Sequence, residues 1–199
     1  MEKLLVTGCR RSGTTLLASL LGAHSDINML NEAYDKSVNK LVGKKYQGVK
    51  LGIPHIKLDK RTPPIIRILF YHKVAFLVGR LKKMGIKLDL LKGSSYSIND
   101  YINMDAKIVF VYRDKEENIK SMLRRSKISY KRAVWSVEKA NEIMNSINCY
   151  KVSLEELTTN TKKTLEGICE YLGIEFEEKM LSASGLNNNY ANTKIEPKK

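Results

Sequence analysis

The chain has few cysteines, prolines and tryptophans: three, four and one in 199 residues. Its cysteines, Cys9, Cys149 and Cys169, are odd in number and lack the spacing of metal ligands. We therefore expect free thiols rather than a disulfide framework or a structural metal site. An apolar leader before the first strand is missing as well, so we expect no signal peptide and a cytoplasmic protein.

Acidic residues are also scarce, with 21 against 35 lysines and arginines, and the formal net charge is +14. The excess is local, because residues 36–92 hold fifteen basic and two acidic residues, whereas residues 1–35 sum to −1 and residues 93–199 to +2. Such a field favours an anionic partner, although a solvated lysine-rich surface would carry the same charge. We expect no nucleic acid as a partner, since base-stacking aromatics and known binding motifs are absent.

The basic region, about 36–92, includes a stretch from Ile65 to Met84 that alternates apolar and basic residues and predicts an amphipathic helix. It is too interrupted to span a bilayer, which needs roughly 20 apolar residues. We expect it to pack on the protein with its basic side outward, and docking on a membrane surface is the alternative. The length predicts one α/β domain over residues 1–199, with the basic region as an insert-like part and no indication of the oligomeric state.

The most informative segment is an apolar strand that runs into a glycine-framed loop and an apolar helical pattern, residues 4–21. Gly8 and Gly13 frame four residues, as in loops whose backbone N–H groups and following helix hold phosphate oxygens. An ATPase or GTPase of this type has lysine where this chain has Thr14. The basic residue comes earlier in the loop instead, at Arg11. This position predicts that the loop binds a phosphate whose attached reacting group lies near Arg11.

A second apolar, β-branched run, Lys107–Tyr112, predicts a strand buried on both faces of a parallel sheet. It ends at Arg113, and the helical pattern that follows carries Ser121. Because ligands bind at the carboxyl ends of parallel strands, both residues can meet the ligand of the first loop and hold a second phosphate. The alternative is an arginine paired with Asp114 and a serine on a helix surface.

Taken together, these segments resemble the sulfotransferase family that uses 3′-phosphoadenosine 5′-phosphosulfate. Arg11–Leu16 is similar to the family's 5′-phosphosulfate loop, and Val111–Asp114 with Ser121 is similar to its 3′-phosphate site. Residues 150–157 and 171–181 are similar to its late strand, helix and closing segment. The resemblance covers most of the chain and implies an α/β fold with a P-loop-type, mostly parallel sheet flanked by helices.

The resemblance also implies roles for particular residues. The protein-tyrosine and carbohydrate sulfotransferases look closest, because their loop is followed by a His-Pro-Asp-like turn and a catalytic glutamate, matched here by residues 24–26 and by Glu32. Lys92 matches a lysine that contacts the reacting sulfate, and Trp135 matches a family tryptophan that we expect in the core rather than against adenine. The implied donor-binding residues are Arg11, Ser12, Gly13, Thr14, Thr15, Arg113 and Ser121.

The chemistry of sulfuryl transfer requires residues of these types. Arg11, helped by Lys92, would stabilise charge on the leaving phosphate oxygen, and Glu32 would take the acceptor's proton. Glu32 could instead cap or pair locally, and His24 is an alternative base, although it falls at a helix end where it can cap the dipole. The reaction requires no metal, and we expect an anionic acceptor, with a glycan favoured.

Two other functions stay open. One is a P-loop nucleotide or small-molecule kinase with a degenerate loop, which the threonine at position 14 disfavours. The other is a non-catalytic basic module that binds polyanions or membranes and keeps an inactive phosphate loop.

Overall fold

A computed structural model describes residues 1–31, 43–53, 96–126 and 128–182. Its strands are β1 (Glu2–Cys9), β2 (Ile27–Asn31), β3 (Tyr46–Ile53), β4 (Lys107–Tyr112) and β5 (Tyr150–Ser153). The helices of these ranges are α1 (Thr14–Gly22), α2 (Ile98–Asn103), α3 (Lys115–Ser126), α4 (Tyr130–Ser146), α5 (Leu154–Thr159), α6 (Thr161–Leu172) and α7 (Lys179–Ser182).

The strands form one sheet in the order β2-β3-β1-β4-β5, and every neighbouring pair is parallel. This arrangement confirms the predicted α/β class with a parallel sheet flanked by helices. Because all five strands point the same way, the loops after β1, β4 and β5 leave the sheet at one edge. The predicted phosphate loop and the predicted second phosphate site both lie at that edge.

Alternating side chains of the strands belong to two buried clusters, one on each face of the sheet. Leu4 and Val6 of β1 pack on the face covered by α1, α5, α6 and α7. Leu5 and Cys9 pack on the opposite face, under α2, α3 and α4. A sheet covered on both faces explains why β1 and β4 are almost continuously apolar in sequence.

Strand β3 lies beside β1 in the middle of the sheet, although its sequence belongs to the basic region, in which no strand was predicted. Val49, Leu51 and Ile53 are buried on one face, whereas Gly48, Lys50 and Gly52 occupy the alternate positions. Two glycines and a lysine give a weak strand signal on their own. A Cβ at position 48 would overlap the sulfur of Met29, so a larger residue there would require the methionine side chain to move.

The other elements follow the sequence closely, with one correction. Trp135 was expected in the core, and that expectation is wrong, since its side chain is 51% exposed. The buried face of α4 runs through Ala133, Val137 and Ala140 at helical spacing, and Trp135 falls on its outer side.

Several expectations concern residues that the structure does not describe. The amphipathic stretch Ile65–Met84 and all of the basic region except residues 43–53 lie outside the described ranges. The assignment of residues 1–199 to one domain stays a prediction. Within the described ranges, no helix combines the length and the apolar character that crossing a membrane requires.

Candidate functional site

The loop after β1 has a backbone that only certain residues can adopt. Gly8 and Gly13 have φ angles of 155° and 96°, and Arg11 between them has a φ of 67°. A Cβ at Gly8 would overlap the carbonyl oxygen of Val111, and one at Gly13 would lie 2.5 Å from Leu154 Cδ1. The left-handed conformation costs a non-glycine residue roughly 1–2 kcal/mol, so the strained Arg11 marks this loop as a candidate functional site.

Ser12 is fully buried and fixes the loop to the sheet. Its hydroxyl oxygen lies 2.7 Å from the carbonyl oxygen of Cys9 and 2.9 Å from that of Val111. Its backbone N–H also donates to Cys9, at 3.2 Å. The bonds that Ser12 makes are therefore within the protein, and its contact with a donor molecule stays a prediction.

Helix α1 begins directly after this loop and presents its N-terminus to the carboxyl edge of the sheet. Its first intrahelical bond runs from the Leu17 N–H to the Gly13 carbonyl oxygen at 3.1 Å, and no side chain caps the helix. The N–H groups of Thr14, Thr15 and Leu16 therefore have no acceptor within the helix. Since the first turn contains no acidic residue, these N–H groups and the helix dipole form a suitable anion site.

Arg113 follows the last residue of β4, on the strand next to β1. Asp114 does not provide the pairing that the alternative required, because its carboxylate accepts the Glu117 N–H at 3.0 Å and caps α3. The guanidinium of Arg113 instead faces Glu117 at 3.6 Å and Glu155 at 3.9 Å. Its Nε is buried and has no hydrogen-bond partner, so the guanidinium retains a donor for an anion.

Ser121 lies on the buried face of α3, one turn after Asn118. Asn118 is 1% exposed and lies near the thiol of Cys9 at the end of β1. Burial raises the pKa of Cys9 to about 12. The thiol therefore stays protonated at neutral pH and acts as packing beside the loop rather than as a nucleophile.

Adjacent strand ends bring the two predicted phosphate sites together. Val111, whose carbonyl oxygen accepts the hydroxyl of Ser12, lies two residues before Arg113. Leu154, the first residue of α5, packs against Gly13, and the next residue, Glu155, reaches Arg113. The loop after β1 and the arginine after β4 thus form one continuous site at the carboxyl edge.

His24 lies beyond the other end of α1, and the nine residues of that helix, roughly 13 Å in length, separate it from the loop. Its Nδ1 accepts the Asp26 N–H at 2.9 Å, so Nε2 carries the proton and donates to the Glu175 carbonyl oxygen at 2.7 Å. His24 therefore ties α1 to the segment after α6, and both of its ring nitrogens take part in hydrogen bonds. Glu32 and Lys92 lie outside the described residues, so their predicted roles stay predictions.

Lys50 is a candidate that the sequence reasoning did not single out. It is only 5% exposed and lies on β3, opposite Val6 of β1 and Asn31 of β2. Alternation along the strand places it on the face of the sheet that α1 covers, near the carboxyl edge. Burying an ammonium is costly unless polar or anionic groups compensate it. A lysine between Val49 and Leu51, within an alternating apolar pattern, was the signal that could have identified it.

No protein-family model matches this chain. Among solved structures, it is similar to mouse sulfotransferase SULT7A1 complexed with PAP, with a TM-score of 0.56 and 13% identity over 100% of this chain and 67% of that one. It is also similar to the sulfotransferase domains of the Synechococcus PCC 7002 olefin synthase (TM-score 0.51, 17% identity) and of the curacin biosynthetic pathway (0.52, 14%), each match covering 92% of this chain and 77% of the other. The fold of the chain is therefore the sulfotransferase-like α/β fold.

Proposed function

We propose that this protein is a sulfotransferase that moves a sulfuryl group from 3′-phosphoadenosine 5′-phosphosulfate to an acceptor hydroxyl. The observation that carries the proposal is the pair of anion-binding features on adjacent strand ends, the loop before α1 and Arg113, joined through the Ser12–Val111 hydrogen bond. A donor with phosphates at both its 5′ and 3′ positions would need two such features, whereas a single nucleotide phosphate would need only one. The fold likeness supports the same conclusion.

The described residues fit this donor. The N–H groups at the start of α1, with Arg11 and the hydroxyls of Thr14 and Thr15, would hold the 5′-phosphosulfate. Arg113 would hold the 3′-phosphate with its unbonded Nε–H among its donors, and Ser121 would add a hydroxyl. No group of three or more His, Cys, Asp or Glu residues in the described part of the chain could hold a metal ion.

Transfer breaks the bond between sulfur and the 5′-phosphate oxygen and forms one between sulfur and the acceptor oxygen. Arg11 and the first N–H groups of α1 would stabilise the charge that grows on the departing phosphate oxygen, an effect worth about 3–4 kcal/mol for a well-placed donor. Glu32 would take the acceptor's proton, which is worth ~10²–10⁴ in rate. Lys92 is the proposed second cation, and Lys50, buried on β3, is a further candidate for that position.

The proposed acceptor is a glycan or another anionic molecule, in line with the protein-tyrosine and carbohydrate branch. The charge of residues 36–92 supports this choice, since this region contains fifteen basic and only two acidic residues. We propose a cytoplasmic location for the reaction, from the free thiols Cys9, Cys149 and Cys169.

The first experiment compares thermal stabilisation by adenosine 3′,5′-bisphosphate with that by ATP and Mg²⁺. A ligand at ~100 times its Kd adds about 2.7 kcal/mol, which shifts the midpoint clearly. We expect stabilisation by the bisphosphate, lost in Arg113→Ala and retained in Lys139→Ala, which removes an equal charge from an exposed ion pair on α4.

Other outcomes point to the other functions. A preference for ATP with Mg²⁺ would favour a kinase. A protein that responds to neither nucleotide, yet binds heparin-like polymers equally well after alanine replaces Arg11 and Arg113, would be the basic binding module.

A further inference from the structure

Arg113, the proposed ligand of the 3′-phosphate, lies between two carboxylates that come from different helices. Glu117 belongs to the first turn of α3, and its Oε2 lies 3.6 Å from an Nη atom of Arg113. Glu155 belongs to the first turn of α5, and its Oε1 lies 3.9 Å from Nε. Neither residue was singled out from the sequence. Glu117 is four residues after Arg113 and reaches it locally, whereas the approach of Glu155 depends on the pairing of β4 with β5.

These two ion pairs are loose. Both distances exceed the roughly 2.7–3.2 Å of a nitrogen–oxygen hydrogen bond, and the Nε of Arg113 is buried without a hydrogen-bond partner. The carboxylates therefore contribute little to fixing the position of the guanidinium. Their charges still act over these distances, because a Coulomb interaction falls only with the inverse of separation.

Both carboxylates can also move away from Arg113 without losing all of their polar partners. Glu117 and Glu155 are 50% and 52% exposed, whereas Arg113 is 23% exposed. Glu117 already has a second partner, since its Oε1 accepts a hydrogen bond from Lys120 Nζ at 2.9 Å. Water or that lysine can thus satisfy the carboxylates when an anion takes their place beside Arg113.

From this arrangement we propose that Glu117 and Glu155 determine how tightly Arg113 binds a 3′-phosphate: they occupy it in the free protein, and the phosphate displaces them. A phosphate monoester carries about −1.5 to −2 charges at neutral pH, so two carboxylates at its binding arginine oppose it. The pair thereby lowers the affinity for any ligand with a 3′-phosphate, the spent donor included, and speeds its release. This inference rests on the proposed function.

The test is the affinity for adenosine 3′,5′-bisphosphate and for adenosine 5′-monophosphate, which lacks the 3′-phosphate, measured by calorimetry at fixed ionic strength. We expect Glu117→Gln and Glu155→Gln each to tighten bisphosphate binding about 2- to 5-fold, the size typical of exposed charge pairs, and the double variant about 10-fold. Binding of the monophosphate should not change. Glu116→Gln is the matched control, because it removes the same charge from the same turn of α3 without an ion pair to Arg113.

Two kinds of result would contradict the inference. Unchanged or weaker bisphosphate binding would show that the carboxylates position Arg113 instead of opposing the ligand. Equal tightening of both nucleotides, or the same effect in Glu116→Gln, would show a general effect of charge. If the wild-type protein binds the bisphosphate and Arg113→Ala abolishes its advantage over the monophosphate, the proposed function stands whatever the glutamine variants do. If the wild-type protein does not bind the bisphosphate, the proposed function itself fails, and this inference fails with it.

Discussion

The hydroxyl oxygen of Ser12 lies 2.9 Å from the carbonyl oxygen of Val111, and this contact joins the loop after β1 to the strand that ends beside Arg113. The two segments are 99 residues apart in sequence. A shift of the loop would therefore also change its distance from Arg113. The pairing of β1 with β4 and this buried hydrogen bond together connect the two proposed phosphate sites, and a single substitution can remove the hydrogen bond.

Ser12→Ala is expected to lower both the stability of the fold and the affinity for the bisphosphate. The substitution leaves the Val111 carbonyl oxygen without its buried side-chain donor, which costs about 1–3 kcal/mol. Urea unfolding measures the stability, and calorimetry measures the binding. Ser19→Ala is the control, because its hydroxyl donates to the carbonyl oxygen of Thr15 within α1, and we expect it to cost less than about 0.5 kcal/mol. Equal losses in the two variants would contradict a special role for Ser12.

Gly8 and Gly52 are direct partners in the β1–β3 pairing and offer a sharp comparison. We expect Gly8→Ala to destabilise the protein by at least ~2 kcal/mol, because its Cβ would overlap the Val111 carbonyl oxygen and its φ of 155° suits only glycine. Among the described residues, nothing lies within 4 Å of a Cβ at Gly52, so Gly52→Ala should be neutral or stabilising by up to about 0.5 kcal/mol. The urea unfolding midpoints of the two variants measure this contrast. Midpoints that are equal and close to that of the wild-type protein would contradict it.

Gly13 and Leu154 should be energetically coupled. In Gly13→Ala, the new Cβ overlaps Leu154 Cδ1 at 2.5 Å, and the φ of 96° strains the backbone. We expect a loss of ~2–4 kcal/mol, of which the overlap part, ~1–3 kcal/mol, disappears when Leu154→Ala is also present. A double-mutant cycle from four urea unfolding curves measures this coupling. Additive losses would mean that backbone strain alone makes glycine necessary at this position.

The elements that sequence reasoning predicted well are those whose local pattern and buried environment agree. The segment Leu4–Thr15 carries its glycines where the loop needs positive φ, and Lys107–Tyr112 is apolar because it is buried on both faces. Local chemistry therefore identified the edge of the sheet at which the candidate site lies. The role of Arg113 as a strand-end residue followed from the same reasoning.

What the sequence did not reveal depends on pairing between distant segments. Lys50 resembles a solvated residue of a basic region until the neighbouring strands bury it. Glu155 reaches Arg113 because β5 lies beside β4, and the ring of His24 bonds to the segment after α6, which is distant in sequence. Trp135 was misplaced because a large aromatic side chain alone does not say which side of a helix faces the core.

Glu177 should make the attachment of the segment after α6 sensitive to acid. Its carboxylate accepts a hydrogen bond from the Ser25 hydroxyl. The Ser25 backbone nitrogen and Lys179 Nζ each lie 2.9 Å from the same carboxylate. These bonds lower the pKa of Glu177 from 4.5 to about 2. Because the pKa is lower in the folded protein than in the unfolded chain, the carboxylate stabilises the fold fully above about pH 4.5. That stability is lost as the pH falls through about 2.

The variant Glu177→Gln should therefore unfold at a lower urea concentration than the wild-type protein at pH 7, and the gap between their midpoints should narrow steadily from pH 4.5 towards pH 2. The difference between the two midpoints should decrease at low pH, because protonation of the wild-type carboxyl removes the same charge that the substitution removes. Glu175→Gln serves as the comparison, because it is exposed and only its backbone carbonyl contacts His24. A gap that stays constant down to pH 2, or one equally large for Glu175→Gln, would show that the carboxylate of Glu177 does not hold this segment in place.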